Sequence, residues 1–214
     1  MFAASTRFGP RSSSCGGRVY GADQVGIVGF NTTGFPLVPP CPAFDHRLQA
    51  AITTLSSRCA GGTNLTAGLR ESLTLLKQAP PGYLRRLWLL TDGEPNAEVD
   101  GILPTVADAC AAWVNINTIG FGDSYNRGLL ERIAVGTHRG RFVPVQSLRE
   151  LTDVLLADQR SARAGGRWHH RAEVTVLALD LSPSMLGPME GRTKVAVVQE
   201  AVTRLLAFKQ RCFS

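Results

Sequence analysis

No apolar segment of this sequence approaches the ~20 residues that a membrane-spanning helix needs, and the N-terminus has no apolar core of a secretory signal. A soluble protein is therefore expected. No GxSxG nucleophile elbow is present, so a common serine-hydrolase signature is missing. The five cysteines, Cys15, Cys41, Cys59, Cys110 and Cys212, form no CxxC pair and are odd in number, which argues against both a zinc cage and a complete disulfide framework. Reduced thiols in a reducing compartment follow, with a cytoplasmic address as the expectation. Cys110, inside an apolar helical stretch, is expected to be buried. Lysine is scarce, 3 residues against 20 arginines, a ratio that reads as genome bias rather than function.

Acid is absent from residues 1–22, which carry Arg7, Arg11 and Arg18. Residues 158–172 set Arg160, Arg163, Arg167 and Arg171 against Asp158 alone. These two stretches account for the whole net charge of +6, so the remaining body is formally neutral and offers no basic groove for a phosphate backbone. No nucleic-acid partner is expected. Residues 1–21 read as a flexible leader, preferred to an organellar transit peptide.

At 214 residues and 44% hydrophobic, the chain suits one sizeable domain with a full core. Gln24 to Phe30 and Phe35 to Val38 read as an antiparallel hairpin joined by the turn at Asn31 to Gly34, with Pro36 placing the second strand at a sheet edge and Pro39 to Pro42 ending it. Asp45 to Leu55 and Thr63 to Leu76 show helical apolar spacing. Gly61 and Gly62 allow a sharp turn before the second, where Thr63 has the ordinary reading of an N-cap. Leu87 to Leu90 and Val114 to Phe121 are buried strands, and Phe142 to Val145, with Pro144, is the opposite edge. Ile102 to Ala112, Leu129 to Ala134 and Leu148 to Leu156 are helices between and after them. Residues 158–172, with Gly165 and Gly166 at the centre, read as a linker. The chain then closes with a strand from Glu173, a helix at Lys194 to Phe208 and a tail at 209–214. Strands alternating with helices predict an α/β fold, a three-layer α/β/α sandwich around a Rossmann-like, mainly parallel six-stranded sheet with one antiparallel edge strand.

The strand from Glu173 organises the chemistry. Val174, Val176, Leu177, Ala178 and Leu179 form a near-continuous apolar run, the pattern of a strand buried on both faces of a parallel sheet. The run breaks into Asp180, Ser182 and Ser184, whose alternating oxygen-bearing side chains suit a hard divalent cation. Asp92 stands at the exit of the Leu87 to Leu90 strand in the same way, its ordinary reading being a turn cap. Ligands of such sheets collect at these strand ends.

Asp180-x-Ser182-x-Ser184 with Thr63 and Asp92 resembles the metal-ion-dependent adhesion site (MIDAS) of the von Willebrand factor type A (vWA) domain family. Further likeness lies in GGTNLTAGL at Gly61 to Leu69, LLTDGEPN at Leu89 to Asn96 and TIGFGD at Thr118 to Asp123, within Ala22 to Leu156 and Glu173 to Phe208. Two departures stand out. Pro183 sits between the serines where the family commonly has Gly, and the DxSxS strand comes last instead of first. The latter implies circular permutation: one vWA-like domain over 22–208, with later elements at 22–157, the linker at 158–172 and the first strand and helix at 173–208. A strand-swapped dimer or a fragment of a tandem array is the alternative to a monomer.

The resemblance implies a non-enzymatic interaction module. Asp180, Ser182, Ser184, Thr63 and Asp92 would hold Mg²⁺, or Mn²⁺ or Ca²⁺, and a protein partner would supply Asp or Glu. Glu94 and Asn96 would adjust partner choice at the rim, and the helix at Arg149 to Leu156 would be the family's movable element. A Mg²⁺-dependent phosphatase with Asp180 as nucleophile is the enzymatic alternative, but such enzymes carry a second Asp where Ser182 stands. His169 and His170, beside Trp168 in the linker, read as solvated.

Overall fold

A computed structural model of the chain describes residues 23–161 and 172–212. The leader, the centre of the linker and Trp168, His169 and His170 lie outside the described residues. The elements run β1 (Gln24–Phe30), β2 (Gly34–Pro42), α1 (His46–Thr53), α2 (Leu65–Lys77), β3 (Leu84–Thr91), α3 (Ile102–Ala111), β4 (Val114–Phe121), α4 (Arg127–Val135), β5 (Phe142–Val145), α5 (Leu148–Ser161), β6 (Glu173–Asp180), the small strands β7 (Pro188–Met189) and β8 (Arg192–Thr193), and α6 (Lys194–Cys212).

The main sheet has the order β2-β1-β6-β3-β4-β5. All neighbours pair in parallel except the β1–β2 hairpin. The last long strand of the sequence thus lies inside the sheet, between β1 and β3. Its composition explains the place. Every residue of β6 is buried, and each fully buried Val or Leu side chain contributes roughly 1.5–3 kcal/mol. Val174, Val176 and Ala178 face the layer of α2, α3 and α4, while Leu177 and Leu179 face that of α1, α5 and α6. A strand apolar on both faces is stable only with both faces covered.

The two sheet edges, β2 and β5, are the strands that Pro36 and Pro144 marked, but element ends depart from the expectations. The prolines at 39–42 do not end β2, which continues to Pro42. An edge strand has one side without a ladder, so residues lacking an N–H are accommodated there, and register shifts around Ile27 absorb the misfit. Helix α5 continues through Ser161, into the segment expected to be linker, and α6 runs past Phe208 to Cys212. Both extensions are polar in sequence, and apolar content therefore marked them as loop or tail. Cys110 is half-buried rather than buried, with Sγ 3.6 Å from His138 Nε2.

The end of α6 returns to the start of β1. Lys209, with a side chain 1% exposed, places Nζ 2.8 Å from Asp23 Oδ2 and 3.7 Å from Glu173 Oε1. Arg86 approaches Glu173 Oε2 at 3.0 Å from the β3 side. One buried ionic cluster thereby joins β1, β3, β6 and α6 at the end of the sheet opposite the strand exits.

Candidate metal centre

The loop after β6 is sorted by polarity. Leu181 and Met185 are fully buried and plug into the core on the α6 side, which turns Asp180, Ser182 and Ser184 the other way. Leu181 N donates to Phe30 O at 2.7 Å and Leu181 O accepts from Ala60 N at 2.8 Å, so the neighbouring loops are tied to this one. Pro183 begins a single 3₁₀ turn, Pro183–Leu186. A residue before proline is driven out of the helical region, and Ser182 is extended, with ψ 160°. Pro183 therefore helps to fix the direction of Ser182.

The oxygens of three residues form a line. Ser182 Oγ lies 2.8 Å from Ser184 Oγ, and Ser184 Oγ donates to Asp92 Oδ1 at 2.7 Å. Asp180 is fully buried behind them. Its Oδ1 accepts from Ser182 N at 2.8 Å and its Oδ2 from Thr91 Oγ1 at 2.5 Å. Asp92, also fully buried, receives Lys194 Nζ on Oδ2 at 2.7 Å.

Thr63 completes the group without being the N-cap that its position suggested. That role belongs to Asn64, whose Oδ1 accepts from Ala67 N at 2.9 Å. Thr63 is held instead by Asn96, which takes Thr63 N on Oδ1 and donates its own N to Thr63 O, both at 3.0 Å. A Cβ on Gly93 would meet Thr63 Oγ1 at 3.6 Å and Ser184 Oγ at 3.8 Å, so both hydroxyls face one small space. Asn96 is thus a brace for Thr63, and Glu94 is engaged by Asn126 Nδ2 at 2.8 Å. Asn64 also donates to Thr32 O and Glu98 Oε1, both at 3.1 Å. Asn64→Ala is expected to cost about 1–2 kcal/mol, as loss of a cap and of buried hydrogen bonds does; the urea midpoint, at unchanged slope, measures it.

Sequence reasoning missed two participants. Thr91 stands beside Asp92, and the regular alternation of β3 turns it toward Asp180, a signal that was available. Lys194 lies 14 residues beyond Asp180 and reaches the site only through the β7–β8 turn, which has no signature in the sequence.

Burial pushes the Asp180 carboxyl up to about 6, and the nearby Asp92 charge adds to this while hydrogen bonds from Thr91 and Ser182 oppose it. The thiol of Cys59 is raised as well, by burial first and then by Asp180 and Asp92. A desolvated carboxylate with a second one close by, three hydroxyls at its side and an ammonium already on the second carboxylate form a place for positive charge. The donor set fits a hard divalent cation such as Mg²⁺: all oxygen, with at most two charges. No group of three or more His, Cys, Asp and Glu able to hold a metal occurs among the described residues, and only the hydroxyls complete a donor set here.

Residues 19–157 match the profile of the von Willebrand factor type A domain. The chain belongs to this family. An uncharacterized protein of Synechocystis, sll0103, is 29% identical over 106 residues, which cover 43% of this chain and 25% of that protein. The chain thus spans about a quarter of the length of that curated relative. Among solved structures, BatB from Bacteroides thetaiotaomicron is similar, with TM-score 0.54 and 17% identity over 67% of this chain and 82% of BatB. A von Willebrand factor type A protein from Catenulispora acidiphila is similar at TM-score 0.52 and 18% identity, over 64% of this chain and 32% of that one. The likeness to both is one of fold, and the six-stranded, mostly parallel sheet with one antiparallel edge is vWA-like. No described helix is long and apolar enough to cross a membrane.

Proposed function

We propose that this vWA domain is a metal-dependent protein-interaction module that binds an acidic residue of its partner. The family generally mediates protein interactions. In this reading Asp180, Ser182, Ser184, Thr63 and Asp92 hold Mg²⁺, with Mn²⁺ or Ca²⁺ as substitutes. The observation that carries it is the line of oxygens from Ser182 through Ser184 to Asp92, backed by buried Asp180. When bound, the cation supplies a Lewis-acidic position still able to accept an anionic oxygen, because its protein donors carry at most two charges. The chain's residues do the rest. Thr91 and the Ser182 amide orient the Asp180 carboxylate, Asn96 positions Thr63, and buried Leu181 and Met185 anchor the loop against movement.

The arrangement disfavours the phosphatase alternative. Phosphatases with an Asp nucleophile of this kind carry a second Asp where Ser182 stands, and here that place offers a hydroxyl, 2.8 Å from Ser184 Oγ.

We further read the chain as circularly permuted, with its site completed within one molecule. Three observations support this. The family match ends at residue 157, before β6; β6 nevertheless pairs with β1 and β3 inside the sheet; and Lys209 brings the end of α6 to Asp23 at the start of β1.

Selection from a random peptide library, run with Mg²⁺ and with EDTA, tests the function. Selected peptides are expected to share an Asp or Glu and to be released by EDTA and by Asp180→Ala. Binding that is indifferent to EDTA would contradict the proposal, as would steady turnover of a chromogenic phosphate ester.

A further inference from the structure

The ammonium of Lys194 takes part in the site without being one of its oxygen donors. Lys194 opens α6, and its backbone N is fixed to Gly187 O at 2.9 Å by the β7–β8 turn. Its side chain is 15% exposed and extends over the exit of β4. There it runs beside Gly122, at φ +83°, where a Cβ would lie 3.4 Å from both Lys194 Cε and Nζ, at van der Waals contact. The side chain ends 2.7 Å from Asp92 Oδ2, on a carboxylate with no exposed surface and whose other oxygen is taken by Ser184.

A buried carboxylate needs a counter-charge, and Lys194 provides it in the metal-free protein. A dication held beside Asp92 supplies the same charge more strongly, and two cations on one desolvated carboxylate repel each other. We propose that Lys194 is a built-in competitor for the metal: its ammonium closes the empty site on Asp92 and is displaced toward the rim when a divalent cation binds. This rests on the metal-binding reading above and adds an exchange of cations to it. The exchange keeps the empty site from carrying a bare buried charge, raises the metal concentration needed to fill it, and delivers a free ammonium beside the position that receives the partner's carboxylate.

The scarcity of lysine makes the exchange measurable, since Lys77, Lys194 and Lys209 are the only three. Lys77 is exposed and Lys209 is buried. Wild-type protein is treated with limiting acetic anhydride with and without Mg²⁺, and acetylation at each lysine is read by peptide mass spectrometry. In parallel, calorimetry gives the Mg²⁺ Kd of wild type, Lys194→Met and Lys194→Arg. The expected result is constant labelling of Lys77, none of Lys209, and labelling of Lys194 that rises at least tenfold with Mg²⁺. Lys194→Met should bind Mg²⁺ at least tenfold more tightly while unfolding at a lower temperature when metal-free, and Lys194→Arg, which keeps the charge, should lack the gain in affinity. Mg²⁺ binding by wild type with unchanged Lys194 labelling, or with no tightening in Lys194→Met, would overturn the exchange and leave the metal site standing. Absence of Mg²⁺ binding in both would overturn the metal site and the exchange together. If Lys194→Met does not fold, the wild-type labelling alone decides.

Discussion

Lys209→Met is expected to destabilise the protein by about 3–5 kcal/mol, the usual consequence of removing one partner from a buried ion pair. Methionine nearly matches lysine in volume, so the loss measures charge and not a cavity. The Lys209 ammonium lies between Asp23 and Glu173, all three being buried. Asp23 Oδ1 also accepts from Glu173 N at 3.1 Å, which links the start of β1 to the start of β6. Without Lys209, both Asp23 and Glu173 lose a buried counter-charge at the junction of α6, β1 and β6. Adding Asp23→Asn to Lys209→Met should recover part of the loss, because one of the two carboxylates that faced Lys209 is then neutral and the amide can still accept from Glu173 N. Urea unfolding measures both variants. A loss below about 1 kcal/mol in the single variant would mean that α6 does not close on β1 as described.

The second large effect concerns pH. Asp180 is raised to about 6 in the folded chain, from an ordinary value of 3.8. A carboxyl whose folded pKa is the higher one binds more protons folded than unfolded between the two values, so stability falls as pH rises through that window. Metal-free protein should therefore lose about 3 kcal/mol between roughly pH 4 and pH 6.5 on account of this group. Asp180→Asn should lack that slope and be the more stable protein at pH 7 without metal. Asp45 and Glu200, both lowered by arginine partners, act in the opposite direction, so the quantity to read is the difference between wild type and Asp180→Asn across the pH range. The same protonation competes with metal: Mg²⁺ affinity should fall about tenfold per pH unit below 6 and level off above 7. Equal slopes in the two proteins would contradict the burial of a charged Asp180.

Much of this was legible because strand exits in a parallel sheet gather at one end. The apolar run before Asp180 and the one before Asp92 each specify a buried strand, and two buried parallel strands in one sheet deliver their last side chains to a common rim. The alternation of Asp180, Ser182 and Ser184 carried over directly, since intervening Leu181 is a core residue. Thr63 was singled out at the start of α2, but the cap there is its neighbour Asn64. Both are good caps, and composition does not say which of two adjacent polar residues turns its side chain to the helix amides. Lys194 and Lys209 were illegible for a common reason. Each is an ordinary polar position on an amphipathic helix until tertiary contacts cover it, and the partners, Asp92 and Asp23, are 102 and 186 residues away. Pro36 marked an edge strand correctly, whereas the prolines at 39–42 misled because a proline marks a strand's end only where both edges must pair.

The central claim, a divalent-metal site completed within one chain, is tested most directly by calorimetric titration of Mg²⁺ into the monomeric fraction at pH 7.5, with Asp180→Ala as reference. One saturable site per chain in wild type and none in the variant is the predicted result. No saturable heat in the monomer, or binding confined to a dimeric fraction, would contradict it.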